Sequence, residues 1–327
     1  MTLHSSFKEA AQFMTDHHHF LVISHVNPDG DAVSSTCAIS YMLQAMNKTY
    51  QLVNQDVIPN KLSVIPNADQ VKVWNEDFMT LQPFDAVIAV DCADQMRMGS
   101  CHEQIIGKLP VLNIDHHPTN DAYGTVNIIC PSAASTTEII YDLMDVISLE
   151  WNLPLATCIY IGLLTDTGGF RYANTTAKVM QIASHLISLG IDAHYFAQAL
   201  LEQMTFSQIQ LLKHALTTLT FDDDGSLGWI TITKSDLSLV NASFSDSEGL
   251  VNLPRNVEGV EVAVLFKQYG DDEIKISLRS NGKADVAEIA SYFGGGGHKN
   301  AAGATLHTSL EKATLTVLEK CRQVIQK

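Results

Sequence analysis

Short apolar runs alternate with amphipathic segments through the first half of the chain. The runs predict buried strands, and the amphipathic segments between them predict helices. Strands that alternate with helices are typical of a doubly wound, mostly parallel sheet covered on both faces, in which ligands bind beyond the carboxyl ends of the strands. The predicted strands cover residues 20–24, 50–54, 85–90 and 111–114, and the predicted helices cover residues 32–46, 138–144 and 157–164.

The pattern changes after about residue 190. Residues 192–219 form a long helical pattern with few β-branched residues, which suits a connector between two domains. Beyond it, the segments LGWITIT, VEVAVLFKQY and EIKISLRS alternate polar and apolar positions as half-buried strands do, and a last helix is predicted from Leu310. We therefore predict an α/β domain over residues 1–190, a helical connector over residues 191–220 and a smaller mixed α/β domain over residues 221–327.

The amino-acid composition limits the classes of partner that we expect the protein to bind. The 327 residues are 46% hydrophobic and carry a formal net charge of −16, which argues against a broad basic face for long duplex nucleic acid. No apolar stretch approaches the roughly 18 residues of a membrane span, and the N-terminal residues lack the pattern of a signal peptide. The six cysteines form no C-x-x-C pair, so we expect reduced thiols and a cytoplasmic protein without membrane contact.

Four clusters of metal-ligand residue types each follow an apolar run. A lone aspartate in such a place usually caps a helix or makes a turn, but capping explains neither two adjacent histidines nor four clusters at one sheet edge. Close carboxylates also repel one another unless a cation compensates. The clusters are His25 with Asp29 and Asp31, then Asp91, then Asp115 with His116 and His117, and finally Asp166.

These clusters supply enough ligands for two divalent metal ions that share one carboxylate. Oxygen and imidazole ligands without thiolate favour manganese, with magnesium or cobalt as alternatives. Two metal ions about 3.5–4 Å apart suit the hydrolysis of phosphate esters, because they activate water and hold the phosphoryl oxygens. The candidate ligands are His25, Asp29, Asp31, Asp91, His116 and Asp166.

A glycine-rich motif, FGGGGHKNAAG, lies in the second half. A helix C-cap would explain the first glycine, Gly294, but not four glycines followed at once by two basic residues. Glycines let backbone N–H groups approach an anion, and Arg279 in the preceding strand EIKISLRS can pair with a phosphate, although an ordinary solvated strand face is the alternative. The predicted substrate-binding residues are Arg279, Gly294, Gly295, Gly296, Gly297, His298 and Lys299.

Together these motifs resemble those of the DHH phosphoesterases that carry a DHH-associated domain 1. The signature HVNPDGDA begins at His25, and VDCAD, DHH and TDTGGFRY follow it in the family's order. The resemblance implies that Asp91 bridges two metal ions, one held with His25 and Asp29, the other with Asp31, His116 and Asp166. It also implies that Asp115 orients the histidine pair and that His117 assists proton transfer near the leaving group.

Within the family, a chain of this size is similar to the oligoribonucleases, or nanoRNases, that also remove the 3′-phosphate of 3′-phosphoadenosine 5′-phosphate (pAp). We therefore expect a metal-dependent hydrolase of short RNA oligonucleotides and pAp, working in the cleft between its domains and compatible with a homodimer. One alternative is a phosphodiesterase for signalling dinucleotides such as c-di-AMP, pApA and pGpG. Another is a catalytically silent nucleotide sensor, although every expected ligand position is filled. Residues 170–172 either contact the nucleotide or form a packed turn.

Overall fold

A six-stranded parallel sheet organises the first of the two units into which the chain divides, Met1–Gln203 and Met204–Lys327. The structure, a computed structural model, describes residues 3–75 and 84–326. The spatial order of the first sheet is β3-β2-β1-β4-β5-β6, so the order reverses between β1 and β4. Its strands are β1 His19–Ile23, β2 Thr49–Asn54, β3 Lys72–Val73, β4 Ala86–Val90, β5 Val111–Asp115 and β6 Val126–Ile129.

Both faces of this sheet are covered, which explains why its strands are continuous apolar runs. Alternate residues of β1 enter different cores: Phe20 and Val22 pack on one side, and Leu21 and Ile23 on the other. This confirms the predicted doubly wound α/β fold. The helices are α1 Leu3–Asp16, α2 Gly30–Ala45, α3 His102–Ile105, α4 Thr136–Ile147, α5 Leu153–Asp166, α6 Ala177–Ser188 and α7 Ala193–Ala197. Short 3₁₀ turns lie at Asn60–Val64, Ala68–Gln70 and Gln95–Cys101.

The second unit is smaller and contains a six-stranded mixed sheet, as predicted. Its strands follow the order β11-β12-β10-β9-β8-β7, in which β8 and β9 are parallel and the other pairs are antiparallel. They are β7 Thr220–Phe221, β8 Leu227–Thr233, β9 Val262–Gly270, β10 Glu273–Ser280, β11 Gly296–His298 and β12 Ala301–Leu306. The helices are α8 Phe206–Thr218, α9 Lys234–Leu239, α10 Asn252–Arg255, α11 Val286–Tyr292 and α12 Leu310–Ile325, and a 3₁₀ turn covers Phe244–Ser247.

The segment predicted as one long helical pattern is divided. After α7 a single π-helical turn covers Gln198–Glu202, and Gln203 then leaves the helix with extended backbone. Thr205 starts α8 with a capping box, in which its side chain accepts from the N–H of Gln208 and the Gln208 side chain accepts from the N–H of Thr205. The connection is therefore helical on both sides of a break, because a strong start signal lies inside the helical pattern.

All six cysteines are free thiols, and five of them are buried. None of the helices in the described parts of the chain is long and apolar enough to cross a membrane.

Candidate metal centre

Three of the four polar clusters meet at the carboxyl edge of the first sheet, on either side of the point where the strand order reverses. His25 lies two residues after β1, Asp91 directly follows β4, and Asp115 is the last residue of β5. The fourth cluster arrives on a helix, since Asp166 is the last residue of α5. Asp31 lies in the first turn of α2. The fold thus brings residues far apart in sequence to one place.

Asp91 lies at the centre of the cluster, and each of its carboxylate oxygens faces a different histidine. Its Oδ2 lies 3.5 Å from Nε2 of His25, and its Oδ1 lies 3.6 Å from Nε2 of His116. On the first side, Oδ1 of Asp29 lies 3.8 Å from His25 Nε2; on the second, Oδ2 of Asp166 lies 3.4 Å from His116 Nε2. Asp91 is therefore placed to be shared between two groups of ligands.

Three groups of possible ligand atoms, each within 4.8 Å of one another, occur among the described residues. One group is the set predicted for the first metal ion, another holds three of the four residues predicted for the second, without Asp91, and the third adds His117. The groups are His25 with Asp29 and Asp91, Asp31 with His116 and Asp166, and Asp91 with His116 and His117.

Backbone carbonyls orient both ligand histidines. His25 Nδ1 lies 2.7 Å from the carbonyl oxygen of Val26, so this nitrogen donates and Nε2 is the ring atom that faces the cluster. His116 Nδ1 lies 3.4 Å from the carbonyl oxygen of Ala133. Both imidazoles therefore present Nε2 toward Asp91, the arrangement expected of metal-ligating histidines.

The N-terminus of α4 anchors the buried carboxylate of Asp31. The backbone N–H of Thr136 donates to Asp31 Oδ2 at 2.6 Å, and the Thr137 hydroxyl donates to Asp31 Oδ1 at 2.9 Å. The Thr136 hydroxyl donates to Asp91 Oδ1 at 3.0 Å. Sequence reasoning missed both threonines. The only signal was the Ser135-x-x-Glu138 spacing, which predicts a helix start but does not show what faces it.

Two glycines allow α2 and α5 to pack closely beside the cluster. A Cβ atom on Gly30 would lie 2.4 Å from the Thr165 hydroxyl, and one on Gly162 would lie 2.6 Å from Asp31 Oδ1. Any side chain at either position would push the helices apart and separate Asp31 from Asp166. Gly30, in the first signature motif, is therefore needed for helix packing.

Negative charge is concentrated in this cluster. Burial raises the pKa of Asp31 well above its usual value, and the charges of Asp91 and Asp29 raise it further. The pKa of Asp166 rises for the same reasons, with Asp31 as its main carboxylate neighbour. Burial alone would lower the pKa of His25, but hydrogen bonds with Asp29 and Asp91 outweigh burial and raise it to about 10. Such a pocket favours positive charge.

Asp115 holds His117. Its Oδ1 lies 2.7 Å from His117 Nδ1, and its Oδ2 accepts from the Asn120 amide at 2.6 Å. These two contacts outweigh the effect of burial and lower the pKa of Asp115, while Asp115 raises the pKa of His117 against the effect of burial. The two histidines are therefore oriented by different groups: Asp115 holds His117, and the Ala133 carbonyl faces His116.

The residues predicted for substrate binding lie in the second unit, where Arg279 and His298 share a face of the sheet. Arg279 of β10 pairs with Ala301 of β12, and Ala301 pairs with His298 of β11, so only an alanine lies between the two basic residues. Lys299 is exposed in the turn that follows β11. The structure therefore places Arg279 and His298 on the same face of the sheet, with β12 between their strands.

The four glycines of the motif differ in whether, and why, the local structure requires a glycine. Gly294, at φ +76°, directly follows the last turn of α11 and fits the helix C-cap explanation. Gly295 and Gly297 permit close pairing of β11 with β12, since added Cβ atoms would lie 2.1 Å from the Gly303 carbonyl and 2.5 Å from the Ala301 carbonyl. A Cβ on Gly296 would meet no atom within 4 Å, so packing does not require this glycine.

The segment after Asp166 turns back on itself, with Phe170 half-buried and Arg171 and Tyr172 exposed. The Phe170 ring lies 6.0 Å from the Tyr160 ring, and Arg171 Nε donates to the Gly168 carbonyl at 2.6 Å. The exposed Tyr172 ring closes over Gly168.

Comparison with known protein families identifies one domain in each half of the chain. A model of the DHH family N-terminal domain matches residues 19–163, and a model of the DHHA1 domain matches residues 238–327. The bifunctional oligoribonuclease and PAP phosphatase NrnA of Thermus thermophilus is 33% identical over 306 residues, which are 92% of this chain and 89% of that protein. The Bacillus subtilis protein of the same name is 29% identical over 287 residues, 87% of this chain and 88% of that protein.

A solved structure is similar over the whole chain. The crystal structure of an exopolyphosphatase-related protein from Bacteroides fragilis has a TM-score of 0.91 and 25% sequence identity. The match covers 99% of this chain and 98% of that one, so the order of elements is the same from end to end.

Replacing Asp166 by asparagine should stabilise the metal-free protein at neutral pH. Because the folded-state pKa of Asp166 is raised, its ionisation costs stability as pH rises above the ordinary carboxyl value near 4, and an amide of similar shape avoids this cost. In chelator we expect Tm at pH 7 to rise, by about 2–4 °C for each kcal/mol regained. The gain should disappear below about pH 4, where the wild-type carboxyl is protonated in both states.

Added Mn²⁺ should then raise Tm of the wild type more than that of the variant, because one candidate ligand is missing. The exposed Asp121, replaced by asparagine, is the matched control for charge and should change neither measurement. An Asp166→Asn protein no more stable than the wild type in chelator at pH 7 would contradict the repulsion argument.

Proposed function

We propose that this chain, which belongs to the DHH family and carries a DHHA1 domain, hydrolyses short RNA oligonucleotides to mononucleotides and removes the 3′-phosphate of pAp. It is a hydrolase of phosphoester bonds. The observation that carries the proposal is the position of Asp91, whose two oxygens face His25 at 3.5 Å and His116 at 3.6 Å. The names of the two NrnA relatives, which align over most of both chains, support this choice of substrates.

The donor set fits divalent metal ions. It combines carboxylates and imidazoles without a thiolate, and two of its carboxyls, Asp31 and Asp166, have raised pKa values, so the pocket favours added positive charge. We assign two ions, with Mn²⁺ first and Mg²⁺ or Co²⁺ as alternatives. His25 and Asp29 would hold one ion, Asp31, His116 and Asp166 the other, and Asp91 both. When bound, such ions supply positive charge that polarises the phosphoryl group and makes water more acidic.

His117 is the proton donor of this proposal. Asp115 engages its Nδ1, so Nε2 is the ring atom that can exchange a proton with the substrate. The raised pKa of His117 favours the protonated ring near neutral pH. The lowered pKa of Asp115 keeps that carboxylate ionised, which stabilises the imidazolium. The proton would pass from His117 Nε2 to the oxygen that leaves with the nucleoside.

The second unit would recognise the substrate. Arg279 and the exposed Lys299 supply local positive charge on an acidic chain, and His298 and Gly296 lie on the same sheet face as Arg279. A phosphate held there, away from the bond that breaks, suits short ligands and exonucleolytic action. Free and mostly buried thiols support a reducing compartment such as the cytoplasm.

A substrate panel tests the proposal directly. Purified protein with Mn²⁺ is given a ribotrinucleotide, pAp, pApA, pGpG and c-di-AMP, each with and without chelator. Turnover of the trinucleotide and pAp that chelator abolishes is the expected result. Rapid hydrolysis of only c-di-AMP or pGpG would identify the signalling phosphodiesterase instead, and no hydrolysis of any substrate would reject the enzyme.

Asp91→Asn should abolish turnover, because the substitution removes the carboxylate shared by both ligand groups. We expect kcat on pAp to fall at least about 10³-fold, with loss of Mn²⁺ binding by calorimetry. Asp121→Asn removes an equal charge from an exposed site of the same unit and should keep normal activity. Near-normal Mn²⁺-dependent hydrolysis by the Asp91 variant would reject the shared-ligand assignment.

Arg279→Ala should weaken substrate binding and leave metal binding intact. Loss of a charge-assisted hydrogen bond of about 1.5–3 kcal/mol corresponds to a rise in KM of roughly 10- to 150-fold on dinucleotides. Arg279→Lys keeps the charge but not the planar guanidinium, so its KM should lie between those of the wild type and the alanine variant. An unchanged KM in the alanine variant would remove Arg279 from the recognition site.

A further inference from the structure

The face of the second sheet that carries Arg279 continues past the residues assigned to substrate recognition. On β10, Lys275, Ser277 and Arg279 point to this face, while Ile274, Ile276 and Leu278 enter the core on the other side. The register places Gly303 and Gly296 beside Ser277, just as Ala301 and His298 lie beside Arg279. Toward β12 and β11 the middle of the face is therefore a floor of small residues, where a ligand can approach the strand backbones. Toward β9 the same face is covered, since Leu265 beside Ser277 and Ala263 beside Arg279 are buried in an apolar core.

Basic residues flank this floor at both ends. Arg279 and His298 lie at one end. At the other end, Lys275 of β10 is the direct partner of Lys267 of β9, so the two ammonium-bearing side chains leave the same face side by side. Lys275 and Arg279 are four positions apart on β10, a distance of about 13 Å along the strand.

A pair of lysines directly opposite each other destabilises a sheet. Burial lowers the pKa of Lys267, and the charges of Lys275 and Arg279 lower it further, against a weaker opposite effect of Glu248. Among residues 3–75 and 84–326, no carboxylate forms an ion pair with either lysine. A chain with a net charge of −16 therefore keeps a lysine pair that forms no ion pair with any carboxylate of the described residues.

Aromatic contacts hold this end of the face in place. The Lys275 ammonium lies 4.3 Å from the centre of the Tyr269 ring. The Tyr269 ring is in turn stacked on Phe244 at 3.8 Å between ring centres. The ammonium is thus positioned over a fixed ring, as a built binding site requires.

We propose that Lys267 and Lys275 form a second phosphate subsite, which takes the backbone of a single-stranded oligonucleotide beyond the nucleotide held at Arg279 and His298. The inference rests on the proposed function and adds to it a cause of length preference. A strand laid along β10 passes over small residues and places a further phosphate between the two lysines. Because the contacts are to phosphate, they are independent of base sequence. A ligand as short as pAp occupies the Arg279 end alone.

The test compares a long and a short ligand on the same variants. Lys275→Gln, Lys267→Met and the double variant remove the charges, and the methionine keeps the half-buried apolar stem. Lys312→Gln is the matched control, since Lys312 is exposed on α12, which packs on the opposite side of the sheet. The measurements are KM for pAp and for a ribotetranucleotide, and the fluorescence anisotropy of a labelled ribotetranucleotide in chelator, where no hydrolysis occurs.

We expect the double variant to bind the tetranucleotide about tenfold more weakly and to change KM for pAp less than twofold. The dependence of log affinity on log salt should become shallower by about 0.7 for each phosphate that the variant no longer neutralises. Tm should stay equal or rise, because a repulsive pair is removed. An unchanged tetranucleotide affinity, or an equal loss for pAp and the tetranucleotide, would overturn the subsite.

Failure of the proposed function gives a different result. If the wild type binds the tetranucleotide in a lysine-dependent way but hydrolyses neither ligand, the subsite stands and the assigned hydrolysis is wrong. If the wild type hydrolyses both ligands and the lysine variants match the Lys312→Gln control, the hydrolysis stands and the subsite is wrong.

Discussion

Repulsion among buried carboxylates is the constraint on which the first unit depends. Asp31, Asp91 and Asp166 approach one another where the sheet edge meets the ends of two helices, and burial makes their charges costly. Most features around them reduce that cost or fix the geometry. The N-terminus of α4 gives two N–H groups and a hydroxyl to Asp31, and its helix dipole favours the negative charge. The remaining excess of negative charge favours the binding of cations. The same electrostatic repulsion therefore affects both metal affinity and folding stability.

The second unit shows the opposite imbalance on one face of its sheet. Lys267 and Lys275 lie side by side, and Arg279 and His298 lie further along the same face. The opposite face of β10 packs into an apolar core. A protein selected for stability alone would alternate charge signs at such positions. In the function proposed above, carboxylate crowding in one unit and ammonium crowding in the other follow the same logic, since each surplus would complement a ligand charge: a metal ion in the first case and phosphate in the second.

How much could be predicted from the sequence depended on whether a feature has a local signal. Strands buried on both faces appear as unbroken apolar runs, so β1, β2, β4 and β5 were predictable, and most candidate metal ligands lie where those runs end. The two-residue β3 and the half-buried β6 were not predicted, because neither is a buried apolar run. Thr136, Thr137 and Asn120 were not found, because hydrogen-bonding partners supplied from distant segments leave no local pattern. The helix break before Thr205 was missed because the apolar pattern continues through it. The Lys267–Lys275 pair depends on strand register, which the strand pattern alone does not fix.

The backbone at Asp91 shows how strongly function shapes this fold. Asp91 has a φ of +56°, in the left-handed region, where a non-glycine residue costs on the order of 1 kcal/mol. Glycine would relieve that strain at no steric cost, yet it would remove the carboxylate that faces both histidines. The turn directly after β4 points this side chain into the cluster, so the strain and the shared position have one cause. The fold thus accepts a local cost at the one residue that both ligand groups need, and closely packed helices and paired strands hold it there.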